Sequence, residues 1–585
     1  MRYAAECVTW LAMLMAGIGV SAAVEPADAI YGGGTILTMA GPEPAQVESL
    51  AVKDGRIVFV GPAAEAATFA GPNTRRIDLA GKTLLPGFID THGHFVYFGK
   101  NLVDANLFGS ATVAEVLERM RKQVERTPAD GWIVGFGYQA RQLAEGRPPT
   151  AAELDRVSAD RPVLIVDSSG HLGSANAAAF RAAGISAATP DPTGGKFARG
   201  DDGKSLAGPM EETALNAVRA KRPPFSGELA DRVITGAAEV WASHGQTTAM
   251  EAGLGLGNDD VAVVLNAIDK RLLPIDLYVA AKDSAMDETL AAAYGVASAY
   301  NPQAAGTLAK LRAARPDLDS RYVNRVRLGG IKFWLDGSLD TAWFTEPYTV
   351  NPPGKTGAFA GYRQIPDAVL DAAFDRFWAT GLQIHMHMNG DAAADQALAA
   401  IAKAVKKHGM HDHRPVFVHA SWVRPDQVEK IKACGAIPSF LPSGIVPGGD
   451  AVVRLWGPVR SAGAMAARSF LRAGLPFTFS HDAPVSPVPS ILALVDAGVN
   501  RMSGSGQVIG PDERITPYQA LRAVTATAAY QLKEEKTKGT LEVGKLADLV
   551  ILEQNPLTVE RTTIKDIAVL ETIKEGKTVW RRSAP

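Results

Sequence analysis

The sequence predicts an α/β protein: a (β/α)8 TIM barrel with a large insertion after strand 1, and a small β-sandwich built from both chain ends. In the middle of the chain, apolar runs alternate with amphipathic helical patterns, which favours βα units around a parallel sheet. Short apolar segments between Gly-rich turns occupy both ends of the chain instead. A third observation is the length of residues 95–246, between the first two predicted strands, which far exceeds one helix.

The N-terminus has the pattern of an exported protein. Arg2 precedes an apolar run at residues 8–20, and the small residues of Ser21-Ala22-Ala23 follow it. This pattern predicts a signal peptide over residues 1–23 and a periplasmic or secreted protein, with an uncleaved anchor or a mis-chosen start as alternatives. The run is too short for a transmembrane span, so no membrane association is expected after cleavage.

Both ends of the mature chain predict short strands. Residues 24–82 contain three candidate strands. Residues 536–585 show the same pattern of short apolar segments and Gly-rich turns, at 539–552 and 567–580. Neither piece can cover a sheet on both faces alone, so we expect them to pair as one sandwich.

The interval 83–535 is predicted to be the barrel, with an inserted cap at about 95–246. The candidate strands are 83–89, 247–251, 274–279, 326–334, 382–387, 415–419, 436–440 and 476–480. Within the cap, 132–137 and 162–166 are further strand candidates. The helix after Asp391 shows a clear apolar face and should stop at Gly409.

Charge and cysteine content exclude several classes of function. Lys and Arg number 60 against 62 Asp and Glu, and no long basic run occurs, so nucleic acid is not an expected partner. Walker-type and Rossmann fingerprints are lacking, which argues against nucleotide-dependent chemistry. Cys434 would be the only thiol of the mature chain, and we interpret it as structural. The expected partner is a small-molecule substrate, and a homo-oligomer is left open.

Metal-ligating side chains stand at the ends of the predicted strands. His92 and His94, in LLPGFIDTHGH, have the i, i+2 spacing that points two imidazoles to one side of extended backbone. Active sites of such barrels lie at the carboxyl ends of the strands. The other residues at these ends are Lys332, His387, His419 and Asp482. Imidazoles and a carboxylate on rigid strands predict a catalytic metal site.

The motifs LLPGFIDTHGH, SSGHLGSAN, GGIKFWLDGS, HMNGDAA and SHDAP together resemble the amidohydrolase superfamily, and more closely its amidohydrolase-3 branch, which includes N-substituted formamide deformylases. The resemblance runs nearly from end to end. It implies that His92, His94, His387 and His419 are metal ligands, and that Asp482 contacts the metal and acts as general base. Lys332 falls where many members carry a carboxylated lysine bridging two metals. One or two divalent ions, most simply zinc, are therefore expected.

Some assignments stay open at this point. His385 could replace His387, because both lie on one face of the same strand, and Lys332 could instead form a structural ion pair with Asp336. His481 is predicted to pack beside the site, and Glu251 has no assigned role.

The resemblance also predicts substrate-contacting residues. His171 would steady a carbonyl or its oxyanion and so counts as catalytic, and Glu212 would orient the cap or the substrate. Independently of the resemblance, Trp343 is predicted to line the pocket, as are Trp334 and Phe344, although core packing is the simpler expectation for each of the three.

The predicted activity is metal-dependent hydrolysis of an amide-like C–N bond of a small molecule by activated water. Alternatives are hydrolysis of a cyclic amide, carbamate, ester or N-acyl amino acid. Alternatives of another class are a metal-assisted isomerase or lyase, and an exported binding protein without catalysis.

Overall fold

Eight parallel strands form the central sheet of the computed structural model, which describes residues 25–583 except 169, 171, 193–194, 258, 283–306, 319, 353–354 and 445–447. The strands pair with their neighbours in chain order. They are β1 (Phe88–Ile89), β2 (Gln246–Leu254), β3 (Asp276–Lys282), β4 (Val326–Trp334), β5 (Gln383–Met388), β6 (Val416–His419), β7 (Ile437–Phe440) and β8 (Thr478–Phe479).

The two ends of this sheet meet at their carboxyl edge. The backbone N–H of Asp482 donates to the carbonyl of His92 at 2.9 Å, and the N–H of His94 donates to the carbonyl of Ala483 at 2.8 Å. The sheet therefore curls round on itself, and the barrel prediction is confirmed. The hydrogen bonds that join β1 to β8 involve the same short segments that carry the predicted metal ligands.

Helices follow most of the barrel strands and cover their outer face. Those after the first insertion are Gly227–Ser243, Asp260–Lys270, Thr307–Ala314, Asp367–Trp378, Asp391–His408, Pro425–Ala433, Gly449–Ala462, Ala467–Arg472, Ile491–Asn500, Pro517–Ala523 and Ala526–Gln531. The helix Asp391–His408 has the predicted apolar face, with Ala397, Ile401 and Ala404 buried, and ends at Gly409. Within the described residues, no helix has both the length and the apolar character needed to cross a bilayer.

Both chain ends build two further sheets that pack on each other. The four-stranded sheet contains Ala29–Gly32, Ser49–Lys53, Arg56–Gly61 and Arg75–Asp78, and the six-stranded sheet contains Thr35–Leu37, Gln46–Val47, Thr83–Pro86, Leu549–Leu552, Val569–Lys574 and Lys577–Arg581. Tyr31 and Leu50 from the first sheet share an apolar cluster with Leu84 and Leu549 from the second. The predicted pairing of the two chain ends is confirmed.

The predicted first barrel strand, 83–89, is in fact two strands. Thr83–Pro86 pairs with Leu549–Leu552 in the six-stranded sheet, and only Phe88–Ile89 pairs in the barrel. The chain crosses between the two sheets at Gly87, where a Cβ would lie 2.4 Å from the side chain of Thr247. Glycine allows this close approach, and sequence periodicity carries no sign that the partner strand changes.

The insertion between β1 and β2 has a sheet of its own. Its strands are Ala105–Asn106, Ile133–Tyr138, Val163–Asp167, Leu172–Ala175, Gly195–Arg199 and Leu206–Glu212, and its helices are Phe95–Val103, Val113–Arg126, Ala151–Asp155, Ala177–Ala183 and Thr213–Arg219. Alternate residues of the central strands face opposite sides, so that Val134 and Phe136 belong to one apolar cluster and Ile133 to another. The strands predicted at 132–137 and 162–166 are therefore confirmed to within a residue.

Candidate metal centre

Three ligand-type side chains meet at the carboxyl end of the barrel. His92 follows β1, His419 ends β6 and Asp482 follows β8, and one ligand atom from each lies within 4.8 Å of the others. His92 Nε2 is 3.2 Å and His94 Nε2 is 3.3 Å from Asp482 Oδ1, whereas His419 Nε2 is 3.8 Å from Asp482 Oδ2. Three histidines from two distant parts of the chain thus surround the carboxylate of Asp482.

His387, at the carboxyl end of β5, lies beside this group. Its ring centroid is 4.7 Å from that of His419. His385, two residues earlier on the same strand, is fully buried and has Tyr278 as its ring neighbour, with centroids 6.1 Å apart. The structure therefore places His387, and not His385, against the other histidines.

Lys332 reaches the same place from β4. Its Nζ is 3.4 Å from His92 Nε2 and 5.2 Å from the centre of the Trp334 ring. Burial lowers the pKa of Lys332 to about 7, although Asp482 and Glu251 oppose the shift. Among the described residues Lys332 forms no ion pair with Asp336, so that alternative is wrong.

Burial sets the protonation states around the cluster. It lowers the pKa of His92 well below the ordinary value for histidine, with nearby Lys332 adding to the shift, and burial does the same for His419. Burial alone would raise the pKa of Asp482, but the surrounding imidazoles, His92 first among them, hold it well below its ordinary value. Neutral imidazoles and an ionised carboxylate are the forms that bind a metal.

The donor set suits a divalent metal. Asp482 Oδ1 is buried and close to two imidazole nitrogens, yet it accepts no hydrogen bond from the part of the chain that the structure describes. The buried Nδ1 atoms of His92, His94 and His419 also lack hydrogen-bond partners in the described structure, but they lie away from the Nε2 atoms that approach Asp482. Buried polar atoms normally have partners. Nitrogen–oxygen distances this short without hydrogen bonds are expected where the side chains face a common point. A cation bound at that point would give Asp482 Oδ1 the partner that it lacks.

Two ligand positions also have strained backbone. His419 has φ of 68° and Asp482 has φ of 54°, in the left-handed region that costs a side-chain-bearing residue energy. Both residues lie at the turn where a strand leaves the barrel. Such strain is held in place by the surrounding fold, and it aims these side chains across the barrel mouth.

A carboxylate outside the predicted set supports the first ligand pair. Asp90 Oδ1 accepts the N–H of His92 at 3.1 Å, and Asp90 Oδ2 accepts the indole N–H of Trp241 at 3.2 Å. His481 Nε2 lies 3.4 Å from the same Oδ2, so His481 packs behind the site and not in it. The signal for Asp90 was present in the sequence, since it lies directly between β1 and the histidine pair.

Asp336 was also missed as a site residue. Asp336 lies two residues beyond the end of β4, and its Oδ1 is 3.2 Å from His387 Nδ1. A carboxylate at the carboxyl end of a barrel strand was a usable signal, but the sequence analysis considered Asp336 only as an alternative ion-pair partner of Lys332.

Of the three residues predicted to contact substrate, Trp343 is the one whose side chain the structure describes. His171 lies outside the described residues, as does the side chain of Glu212, whose backbone ends the strand Leu206–Glu212. Trp343 lines a cavity of about 350 Å³ beside the helices Asp367–Trp378 and Asp391–His408.

Glu251 and Phe344 have identifiable surroundings. Glu251 Oε2 accepts the N–H of Val96 at 2.7 Å, and Oε1 lies 4.0 Å from His94 Nδ1. Burial raises the pKa of Glu251 to about 8. Phe344 is buried against Tyr348 and Trp456, as expected for a packing residue.

Comparison with known proteins agrees with this geometry. The sequence profile of the amidohydrolase family matches residues 75–580. An N-substituted formamide deformylase from Arthrobacter pascens is 27% identical over 92% of this chain and 95% of its own. An uncharacterized metal-dependent hydrolase from Pyrococcus furiosus is 25% identical with a TM-score of 0.69, covering 91% of this chain and 100% of its own. Another from Pyrococcus horikoshii OT3, 23% identical with a TM-score of 0.71, covers 91% of this chain and 99% of its own, and shows the same fold.

Proposed function

This chain belongs to the amidohydrolase family, and from that membership we propose that it is a metal-dependent hydrolase that cleaves an amide-like C–N bond of a small molecule. The observation that carries the proposal is the buried meeting of His92, His419 and Asp482 at the carboxyl end of the barrel. Active sites of (β/α)8 enzymes lie at this end. The N-substituted formamide deformylase, similar along nearly its whole length, supports a C–N bond as the target.

His92, His94, His387, His419 and Asp482 would hold the metal. A divalent ion bound by these side chains would supply Lewis-acid chemistry, polarising a carbonyl and making water a better nucleophile. Zinc suits an imidazole-rich donor set. Lys332, whose pKa of about 7 leaves much of the amine neutral near neutral pH, is proposed as the site of carboxylation that would add a bridging ligand for a second ion.

Asp482 would act as the general base and then as the general acid. Its carboxylate is buried, ionised and surrounded by imidazoles, so it can accept a proton from the attacking water. The same carboxyl group would then deliver that proton to the leaving nitrogen. His171 is proposed to donate a hydrogen bond to the carbonyl oxygen as negative charge develops there. Glu212 and Trp343 remain proposed contacts of the substrate.

The test combines metal analysis with a substrate panel. Purified protein should contain one or two divalent ions per chain by elemental analysis. It should hydrolyse at least one member of a panel of N-substituted formamides, cyclic amides, carbamates and N-acyl amino acids. In labelled water, the carboxylate product should contain solvent oxygen. Turnover without solvent oxygen would replace the hydrolase proposal by an isomerase or lyase, and tight binding without turnover would replace it by a binding protein.

Export is a separate proposal. The signal-peptide pattern over residues 1–23 lies outside the described residues, so its support is the sequence alone. N-terminal sequencing of the protein from a secreting host should begin at Val24. An intact Met1 on a cytoplasmic product would contradict the proposal.

A further inference from the structure

We infer that Asp336 is a positioning residue that orients the ring of His387 for metal binding, an inference that rests on the proposed function because it takes His387 as a ligand. Asp336 follows β4 and has no exposed surface. His387 ends the neighbouring strand β5, so the two side chains approach each other across adjacent strand ends.

Backbone amides hold the Asp336 carboxylate in one orientation. Oδ2 accepts N–H groups from Gly390 at 2.8 Å, Trp343 at 3.0 Å and Asn389 at 3.0 Å. The Asn389 N–H is shared with Oδ1 at 2.9 Å. A Cβ on Gly390 would lie 1.9 Å from the Trp343 carbonyl, so these donors come together only because residue 390 is glycine.

Oδ1 retains room for one more donor, and His387 offers it. Oδ1 receives only the shared amide, and His387 Nδ1 lies 3.2 Å away. That Nδ1 is buried and has no hydrogen-bond partner among the described residues, so a small turn of the ring towards Oδ1 would give it one. A proton on Nδ1 directed at Oδ1 leaves Nε2 unprotonated, which is the tautomer that binds a metal through Nε2. In the structure Asn389 Nδ2 lies 3.5 Å from this Nε2, and a bound metal would replace that weak contact.

Packing alone encloses this ring less completely than those of His92 and His419. The side chain of His387 is 13% exposed, against 1% for His92 and 4% for His419. A partly open ring can turn about its side-chain torsions unless a hydrogen bond fixes it. The fixed carboxylate of Asp336 is placed to do this.

Asp391 provides a matched control. Its side chain is likewise buried, and it accepts an N–H from the same loop, that of Thr345 at 3.0 Å. Its other oxygen bonds Arg424 at 2.8 Å, and no histidine is among its contacts in the described structure. Asp391→Asn therefore removes a comparable buried charge and leaves the contact between Asp336 and His387 in place.

The first experiment measures metal affinity by chelator competition and the absorption spectrum of the cobalt-loaded protein. Asp336→Asn should bind zinc 10- to 100-fold more weakly, the usual effect of losing such a support, and should change the cobalt spectrum. Asp391→Asn should stay within about threefold of wild type, since it leaves the ring of His387 in place. Wild-type affinity and spectrum in Asp336→Asn, or an equal loss in Asp391→Asn, would overturn the inference. If Asp336→Asn does not fold, Asp336→Glu keeps the charge but moves the oxygen, and wild-type zinc affinity in that variant would overturn it too.

A double-mutant cycle asks whether Asp336 acts through His387. The variant with both Asp336→Asn and His387→Ala should bind zinc no more weakly than His387→Ala alone. If the losses of zinc affinity in the two single variants add fully in the double variant, Asp336 does not act through His387 and the inference fails. Unchanged zinc affinity in His387→Ala would end the positioning inference while leaving the hydrolase proposal, which rests on His92, His419 and Asp482. Tight zinc binding by a wild-type protein that turns over no substrate would end the hydrolase proposal alone.

Discussion

A buried charge cluster joins the barrel to the sandwich, and its removal should destabilise the protein. Asp276, at the start of β3, has its Oδ2 2.7 Å from Lys538 Nζ and 2.6 Å from Lys574 Nζ. Lys574 belongs to the sandwich strand Val569–Lys574. These three side chains are at most 4% exposed, so solvent screens the cluster little.

Asp276→Asn should lower the free energy of unfolding by about 3 kcal/mol. Breaking a buried pair by removing one partner costs about 3–5 kcal/mol. The lower end applies because each lysine keeps at least one carboxylate, Lys538 with Glu534 at 2.7 Å and Lys574 with Asp548 at 2.8 Å. The control Asp371→Asn breaks only the exposed pair with Lys403, worth about 0–1 kcal/mol.

The assay is urea unfolding followed by circular dichroism. With a slope of about 3 kcal/mol/M, the midpoint of Asp276→Asn should fall by about 1 M. Burial alone would raise the pKa of Asp276, but Lys538 and Lys574 hold it far below its ordinary value. The stabilisation is therefore complete above about pH 4 and is lost as the pH falls further, so the difference from wild type should shrink in acid. A midpoint shift no larger than that of the control would refute the reasoning.

Three further predictions concern the site and its surroundings. Asp482→Asn should reduce turnover to less than a tenth of wild type while the protein keeps its circular dichroism spectrum and much of its metal; a tenth or more would remove Asp482 from the general-base role. Gly390→Ala should weaken zinc affinity about tenfold in chelator competition, because its Cβ displaces the Trp343 carbonyl and loosens Asp336. The control Gly236→Ala lies within the helix Gly227–Ser243, where its Cβ would meet only the Leu102 side chain at 3.4 Å, and should leave zinc affinity unchanged. Burial lowers the pKa of His244 to about 4, so the folded state binds fewer protons than the unfolded state between about pH 4 and 6.5. The melting temperature should fall as the pH is lowered through that range and less so in His244→Asn, and an unchanged pH dependence would contradict this.

Much of the fold and part of the site could be predicted because they depend on local patterns. Alternating apolar runs and helical faces marked the barrel strands, and two of the six strands of the insertion were located to within a residue. His92 and His419 were identified because a polar residue at the end of an apolar run is visible in sequence. The resemblance to a known family then joined these separate signals into one site.

The remainder depended on contacts between segments far apart in the chain. The sequence pattern predicts Thr83–Pro86 as part of the first barrel strand. In the structure this segment pairs in the sandwich with Leu549–Leu552, a strand more than four hundred positions later. Local pattern likewise offered Asp336 only as an alternative ion-pair partner of Lys332, whereas the amides of residues 389–390 and Trp343 turn its carboxylate towards His387.

The amino-acid sequence by itself determined which side chains stand at the strand ends, since strand periodicity and chain order settle that within a few residues. The tertiary structure decided which of those side chains face one another. Closure of the barrel brings β1 against β8 and so places His92 and His94 around Asp482. The physical reason is that hydrogen bonding between strands distant in the chain, and not any local preference, fixes the position and direction of each strand end. The side chains at these ends therefore meet only once the sheet has closed.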